Sequence, residues 1–172
     1  HGNEPSHHMA YLYSYVGQPW KTQEWTRRLL DEMYQPTPEG IIGNEDCGQM
    51  SAWYILSSLG FYSVCPGSNQ FILTTPLFDK ANMKLGNGKT LVITANQPDK
   101  NKYITKVTLN GEEISHCYIT YDQLMQGGTL DFTLSATPDK RWGTAPEYAP
   151  YSYTEQPTVS IPYIANDLDL FE

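Results

Sequence analysis

The sequence predicts an α+β protein, helices first and a small antiparallel β-sandwich module after them, and three observations carry that reading. Hydrophobic periodicity changes from helical to alternating near Gly60. Beyond that point Asn87-Gly88 and Asn110-Gly111 separate alternating runs, the strongest short-range hairpin signal. The composition supplies a core: of 172 residues 40% are hydrophobic and 13% aromatic, against 17% charged. Such a chain can offset its folding entropy, and no apolar stretch in it is long enough for a membrane helix.

Three helices are expected before Gly60. Pro5 stands where a first helical residue belongs, and the aromatic-rich run 6–16 stops at Gly17. A second helix, about 20–34, follows Pro19; it places Trp25, Leu29 and Met33 on one face and Glu24/Arg28 and Arg28/Glu32 at four-residue spacing on the other. The third, 47–59, is apolar nearly all round, with small Ser51, Ser57 and Ser58 between Met50, Trp53, Ile55 and Leu56. Burial on most of its surface is therefore expected, by neighbours beyond the other two helices. Strands follow at 70–75, 90–95, 103–109, 117–120 and 129–134, punctuated by Pro66-Gly67, Gly127-Gly128 and the two Asn-Gly pairs. The chain thus divides into 1–60, a β-module 61–136, and an extended proline-punctuated tail 137–172.

Charge narrows the functional classes. With 11 Lys+Arg against 19 Asp+Glu the net charge is −8, and no basic stripe exists to follow a phosphate backbone. Thirteen Tyr and four Trp in a weakly charged protein suit neutral polyhydroxyl ligands better. Cys47, Cys65 and Cys117 match neither a disulfide framework nor a zinc spacing, and are expected to be buried small apolar residues. No methionine precedes His1, and the opening text reads like a domain interior. The chain is therefore expected to be a fragment, and the lack of a secretion signal in it carries no weight.

Polar chemistry concentrates at two loop-to-helix junctions, residues 2–8 (GNEPSHH) and 43–49 (GNEDCGQ). In the second, Asp46 lies three residues before Gln49, close to a capping box. A cap explains Asp46 but not the neighbouring Glu45, so a structural and a functional reading both stand. In the first, Asn3 or Glu4 can cap a helix opened by Pro5, while adjacent His7 and His8 must point in different directions. No HExxH zinc pattern, GxSxG elbow or phosphate-cradling loop is present. A hard cation could use Glu4, Asn3 or backbone carbonyls, with no recognisable spacing.

The strings GNEPSHHMAYLYSYVGQPWKTQ and GIIGNEDCGQMSAWYILSSLGFYSVCPGSNQF, continuing through Pro76-Leu77-Phe78 and Leu109-Asn110-Gly111, resemble the C-terminal signature of glycoside hydrolase family 92. That family comprises calcium-dependent, exo-acting α-mannosidases abundant in gut Bacteroidetes. The resemblance implies that residues 1–60 are the terminal helices of an (α/α)6 catalytic barrel and that the β-module follows it. It also implies Ca2+, hydrolysis with inversion, and mannose-rich glycans as substrates, with the α-1,2 linkage expected first. Inversion needs an acid and a carboxylate base roughly 6.5–9.5 Å apart. By motif, Asp46 matches the base, with Glu45 or Asn44 orienting the water. Asn3, Glu4, His7 and His8 match positions lining the sugar or calcium site, Glu4 as the metal ligand, and Trp20 or Trp25 could platform a sugar ring.

The acid is implied to lie upstream of His1, which makes the rest of the same protein a partner. Self-association through exposed helices is a further expectation, as is a periplasmic or extracellular location. The competing reading is a non-catalytic carbohydrate-binding β-sandwich module, in which the carboxylates are caps.

Overall fold

In the computed structural model, which describes residues 1–152, the change of periodicity at Gly60 marks the passage from helices to sheets. The first expected helix is instead two 3₁₀ turns, Glu4–Ser6 and Met9–Tyr11, followed by the short α1, Leu12–Tyr15. Aromatic residues are poor helix formers, and the tighter winding turns His7, Ala10, Tyr11 and Ser14 inward. There the Tyr11 hydroxyl meets Ser57 Oγ at 2.7 Å, and Ser14 Oγ donates to Thr22 Oγ1 at 2.9 Å.

Helix α2, Pro19–Met33, lies one residue earlier than expected and takes in Pro19 itself, and the face it buries is different. Thr22, Gln23, Thr26, Arg27 and Leu30 are inside, whereas Trp25 is exposed and Leu29 and Met33 are half-buried. The reason is what the helix meets. Gln23 Oε1 accepts from the Ile104 amide at 2.9 Å, and the Arg27 guanidinium donates to the carbonyls of Pro98 and Pro76, both at 2.8 Å. Polar side chains are buried here because backbone groups of strand β5 (Tyr103–Leu109) and of two loops receive them. On the outer face Arg28 pairs with Glu32 at 3.0 Å, as the spacing predicts.

Helix α3, Gln49–Ser58, buries Met50, Trp53, Ser57 and Ser58. It is not enclosed all round: Ile55 is 56% exposed, and Ala52 also faces out. Its inner side meets α2 and the N-terminal turns, where Ser57 reaches Tyr11 and Met50 reaches His7.

Beyond Gly60 two sheets share one core. The first runs β1-β2-β7, Phe61–Tyr62, Gln70–Leu73 and Tyr118–Thr120. The second runs β3-β4-β8-β5-β6, Lys80–Lys84, Thr90–Ala95, Gly128–Ser135, Tyr103–Leu109 and Glu112–Glu113. Phe61, Leu73 and Ile119 of the first pack with Leu91, Ile93, Val107, Leu130 and Phe132 of the second. One pair departs from the antiparallel expectation: β8 slots between β4 and β5, parallel to β4 from Leu91↔Gly128 to Ala95↔Phe132. A short helix α4, Tyr121–Met125, precedes it, opened by a capping box between Thr120 and Gln123. The tail to residue 152 lies against the module, with Trp142 buried and its indole N–H donating to the Ile114 carbonyl at 3.3 Å. The rest of the expected tail, 153–172, lies outside the described residues.

The cysteines divide unlike the expectation. Cys117 is buried, and desolvation pushes its thiol up to about 12; Cys47 and Cys65 are exposed because both sit in turns. Because the thiolate is the nucleophile, a thiol reagent at neutral to mildly alkaline pH is expected to modify Cys47 and Cys65 in the native chain. Cys117 should react only after unfolding, and mass spectrometry of native and denatured samples checks this.

Candidate active site

The two Gly-Asn-Glu junctions meet backbone to backbone. A Cβ built on Gly43 would lie 2.0 Å from the Gly2 carbonyl oxygen, and the φ of Gly43 is 80°. Glycine alone tolerates both conditions. The crossing sets Glu4 beside Asp46, although 41 residues separate them in the chain. The neighbouring Glu4 carboxyl, close enough to share a proton, is the foremost cause that raises the Asp46 pKa above its ordinary value. Lost hydration and the Glu4 charge act in the same direction, and nearby His7 opposes them. Two carboxyl groups in contact resist ionising together.

Asp46 is presented by an unusual turn. Asp46, Cys47 and Gly48 are all left-handed, with φ of 49°, 57° and 92°. For a non-glycine residue this costs about 1–2 kcal/mol, so the surroundings must enforce it. The capping box expected of Asp46 and Gln49 is absent: Gly48 is the N-cap and makes no side-chain bond, because the turn carries Asp46 outward to an exposed position. Glu45 does the capping instead. Its Oε1 accepts from the Ser51 amide at 3.2 Å and its Oε2 from the Ser51 hydroxyl at 2.9 Å.

The remaining predicted residues take several places. Asn3 caps the first 3₁₀ turn, its Oδ1 accepting from the Glu4 amide at 3.1 Å. Asn44 is exposed, and its amide makes no hydrogen bond among the described residues. His7 and His8 diverge as adjacent residues must. His8 faces solvent, while His7 is 4% exposed, with Nε2 3.0 Å from Met50 Sδ and Nδ1 3.2 Å from the Gln49 amide nitrogen. Burial lowers the His7 pKa and favours the neutral ring, packed behind the carboxylates. The His7 carbonyl also accepts from the Trp53 indole at 3.1 Å.

Sequence reasoning gave no site role to Gln49, which links His7 to the Tyr62 hydroxyl, or to Tyr34, whose ring lies parallel to Trp53 within 5°. Position 49 carried a signal, a polar side chain opening an apolar helix. Trp25, a suggested sugar platform, carries the Arg28 guanidinium 5.2 Å from its ring centre, and Trp20 has the Lys140 ammonium at 5.9 Å. Beside the Glu45 clamp a cleft of about 490 Å³ opens between Tyr34, Pro36, Ile41, Ser51, Tyr54 and Ile55.

A cation at this place would meet oxygen donors. Glu4 and Asp46 suit a hard ion such as calcium, which takes about six to eight oxygens. No cluster of three or more His, Cys, Asp or Glu side chains suited to a metal occurs among the described residues. The fit therefore extends to one or two carboxylates, with the other oxygens to come from elsewhere.

Comparison with known proteins gives the family of the chain. The Glycosyl hydrolase family 92 catalytic domain matches residues 1–136. A protein of Arthroderma benhamiae named an uncharacterized secreted glycosidase is 31% identical over 155 residues, 88% of this chain and 20% of its own length. Among solved structures, a GH92 α-mannosidase of Bacteroides thetaiotaomicron in complex with mannoimidazole is 40% identical with a TM-score of 0.85, covering 88% of this chain and 20% of its own. An inverting GH92 mannosidase of the same organism is 44% identical with a TM-score of 0.84, covering 90% of this chain and 21% of its own. This chain thus spans about a fifth of the length of these relatives. The match takes in both glycine-crossed junctions and the sheets behind them, and the chain belongs to glycoside hydrolase family 92.

Proposed function

We propose that this chain is the C-terminal part of an exo-acting, inverting α-mannosidase and supplies the base side of its active site. The observation that carries the reading is the outward presentation of Asp46 on a left-handed turn, beside Glu4. Asp46 takes the proton of a water that attacks the anomeric carbon from the face opposite the leaving group. A carboxylic acid from another part of the enzyme protonates the departing oxygen. Asn44, exposed next to the turn, orients the water or the sugar, and Asn3 and His7 keep Glu4 and the junction in place. Bound calcium would supply charge to hold and distort the terminal mannose, with Glu4 as its ligand from this chain.

The proposed substrates are mannose-rich glycans, N-glycans included, with α-1,2 linkages first. The site of action is periplasmic or extracellular, which the secreted name of the fungal relative supports. The described residues contain no helix long and apolar enough to cross a membrane. The remaining barrel of the same protein is the proposed partner for the open side of α3 at Ile55; a second copy of this chain is its substitute in isolation. The match of one catalytic-domain family to helices and sheets together speaks against a free-standing carbohydrate-binding module.

The purified 172-residue chain is expected to hydrolyse no α-mannoside above a buffer blank, since inversion needs both carboxyl groups. Turnover by that chain alone would overturn the reading.

A further inference from the structure

The turn that presents Asp46 is not held by its own side chains. Cys47 is exposed, Gly48 has none, and Asp46 reaches across to Glu4 of the other junction instead of back to its own turn. What brackets the turn is Glu45. Its carbonyl accepts from the Met50 amide at 3.2 Å, and its carboxylate closes on the amide and hydroxyl of Ser51. The backbone is thereby tied on both sides of the three left-handed residues. Both carboxylate oxygens are engaged by donors of α3, an arrangement suited to holding a loop and not to collecting a proton from water.

We infer that Glu45 is a positioning residue, whose clamp on Ser51 fixes the turn from which Asp46 faces the attacking water. This rests on the assignment of Asp46 as base given above. It removes Glu45 from direct chemistry and gives Ser51, a residue without an assigned role, a part in catalysis at one remove. A misplacement of a reacting group by an ångström can cost about 10²-fold in rate, which is the scale of effect that the clamp protects.

The test uses the complete enzyme with an α-mannoside substrate. Ser51→Ala removes the hydroxyl alone and is expected to lower kcat by about tenfold, with KM nearly unchanged, as befits a loss felt mainly in the transition state. Ser51→Thr keeps a hydroxyl and should restore most of the rate. Glu45→Ala should cost up to about 10²-fold, and adding Ser51→Ala to it should cost little more, because both remove one clamp. If Glu45→Ala does not fold, the Ser51 pair decides. Wild-type kcat in Ser51→Ala with only a lower Tm would overturn the inference. So would a Glu45→Gln loss as deep as that of Asp46→Asn, which would make Glu45 the base. Asp46→Asn in the same assay separates the two failures: a fully active Asp46→Asn refutes the base assignment and the clamp with it, whereas an inactive one beside an unaffected Ser51→Ala refutes the clamp alone.

Discussion

Asp46→Asn in the complete enzyme is expected to lower kcat by about 10²–10⁴-fold, the usual loss when a general base is removed. Folding and sugar binding should change little. The amide has nearly the shape of the carboxylate, the side chain is exposed, and the helix cap belongs to Glu45 and Ser51. Substituting an amide also removes one of two carboxyl groups in contact, so the junction with Glu4 should be relaxed by the change. Steady-state kinetics with a thermal melt would check both halves. A fall in Tm with unchanged kcat would mean that Asp46 is structural and the base lies elsewhere.

Gly43→Ala is expected to have an effect of similar size by a different route. The added methyl would start 2.0 Å from the Gly2 carbonyl oxygen, so the two junctions must part by more than an ångström. Displacement of that order costs about 10²-fold in rate, on top of about 1–2 kcal/mol for a side chain at positive φ. Gly88→Ala is the control. Its φ of 83° imposes the same backbone penalty, yet nothing lies within 4 Å of its added Cβ. Gly88→Ala should lose stability and keep activity, while Gly43→Ala loses both. Equal kcat in the two variants would show that the crossing of the junctions does not matter to the reaction.

The parts of the fold legible in the sequence are those governed by neighbours along the chain. The alternation of apolar residues and the Asn-Gly turns mark Thr90–Ala95 and Tyr103–Leu109 to the residue. Lys80–Lys84 alternates as well, Ala81 and Met83 between polar residues ahead of Asn87-Gly88, but it escapes notice because two half-buried apolar residues in an edge strand make a short, weak signal. The parallel insertion of β8 is invisible for another reason: it depends on which strands meet, and residues 91 and 128 meet only after the sheet has closed. The inner face of α2 misleads periodicity outright, since it is polar and is satisfied by carbonyls and an amide far away in sequence. At the site both Gly-Asn-Glu junctions stand out as polar text before helices. Their contact does not, because it is made by two glycine backbones, and a pattern of side chains carries no trace of it.

The polar inner face of α2 also bears on where this protein can be divided. Periodicity suggests a seam at Gly60, and a designer of shorter variants would cut there. Such a cut would take Gln23 and Arg27 away from the Ile104 amide and the Pro76 and Pro98 carbonyls. Those groups would then have to find water, and each left dry would cost about 1–3 kcal/mol. Residues 61–136 hold most of the larger apolar core, yet their surface is finished by a helix encoded before it. The helices are in this sense the outer wall of the sheets, and a shortened variant should keep the two together.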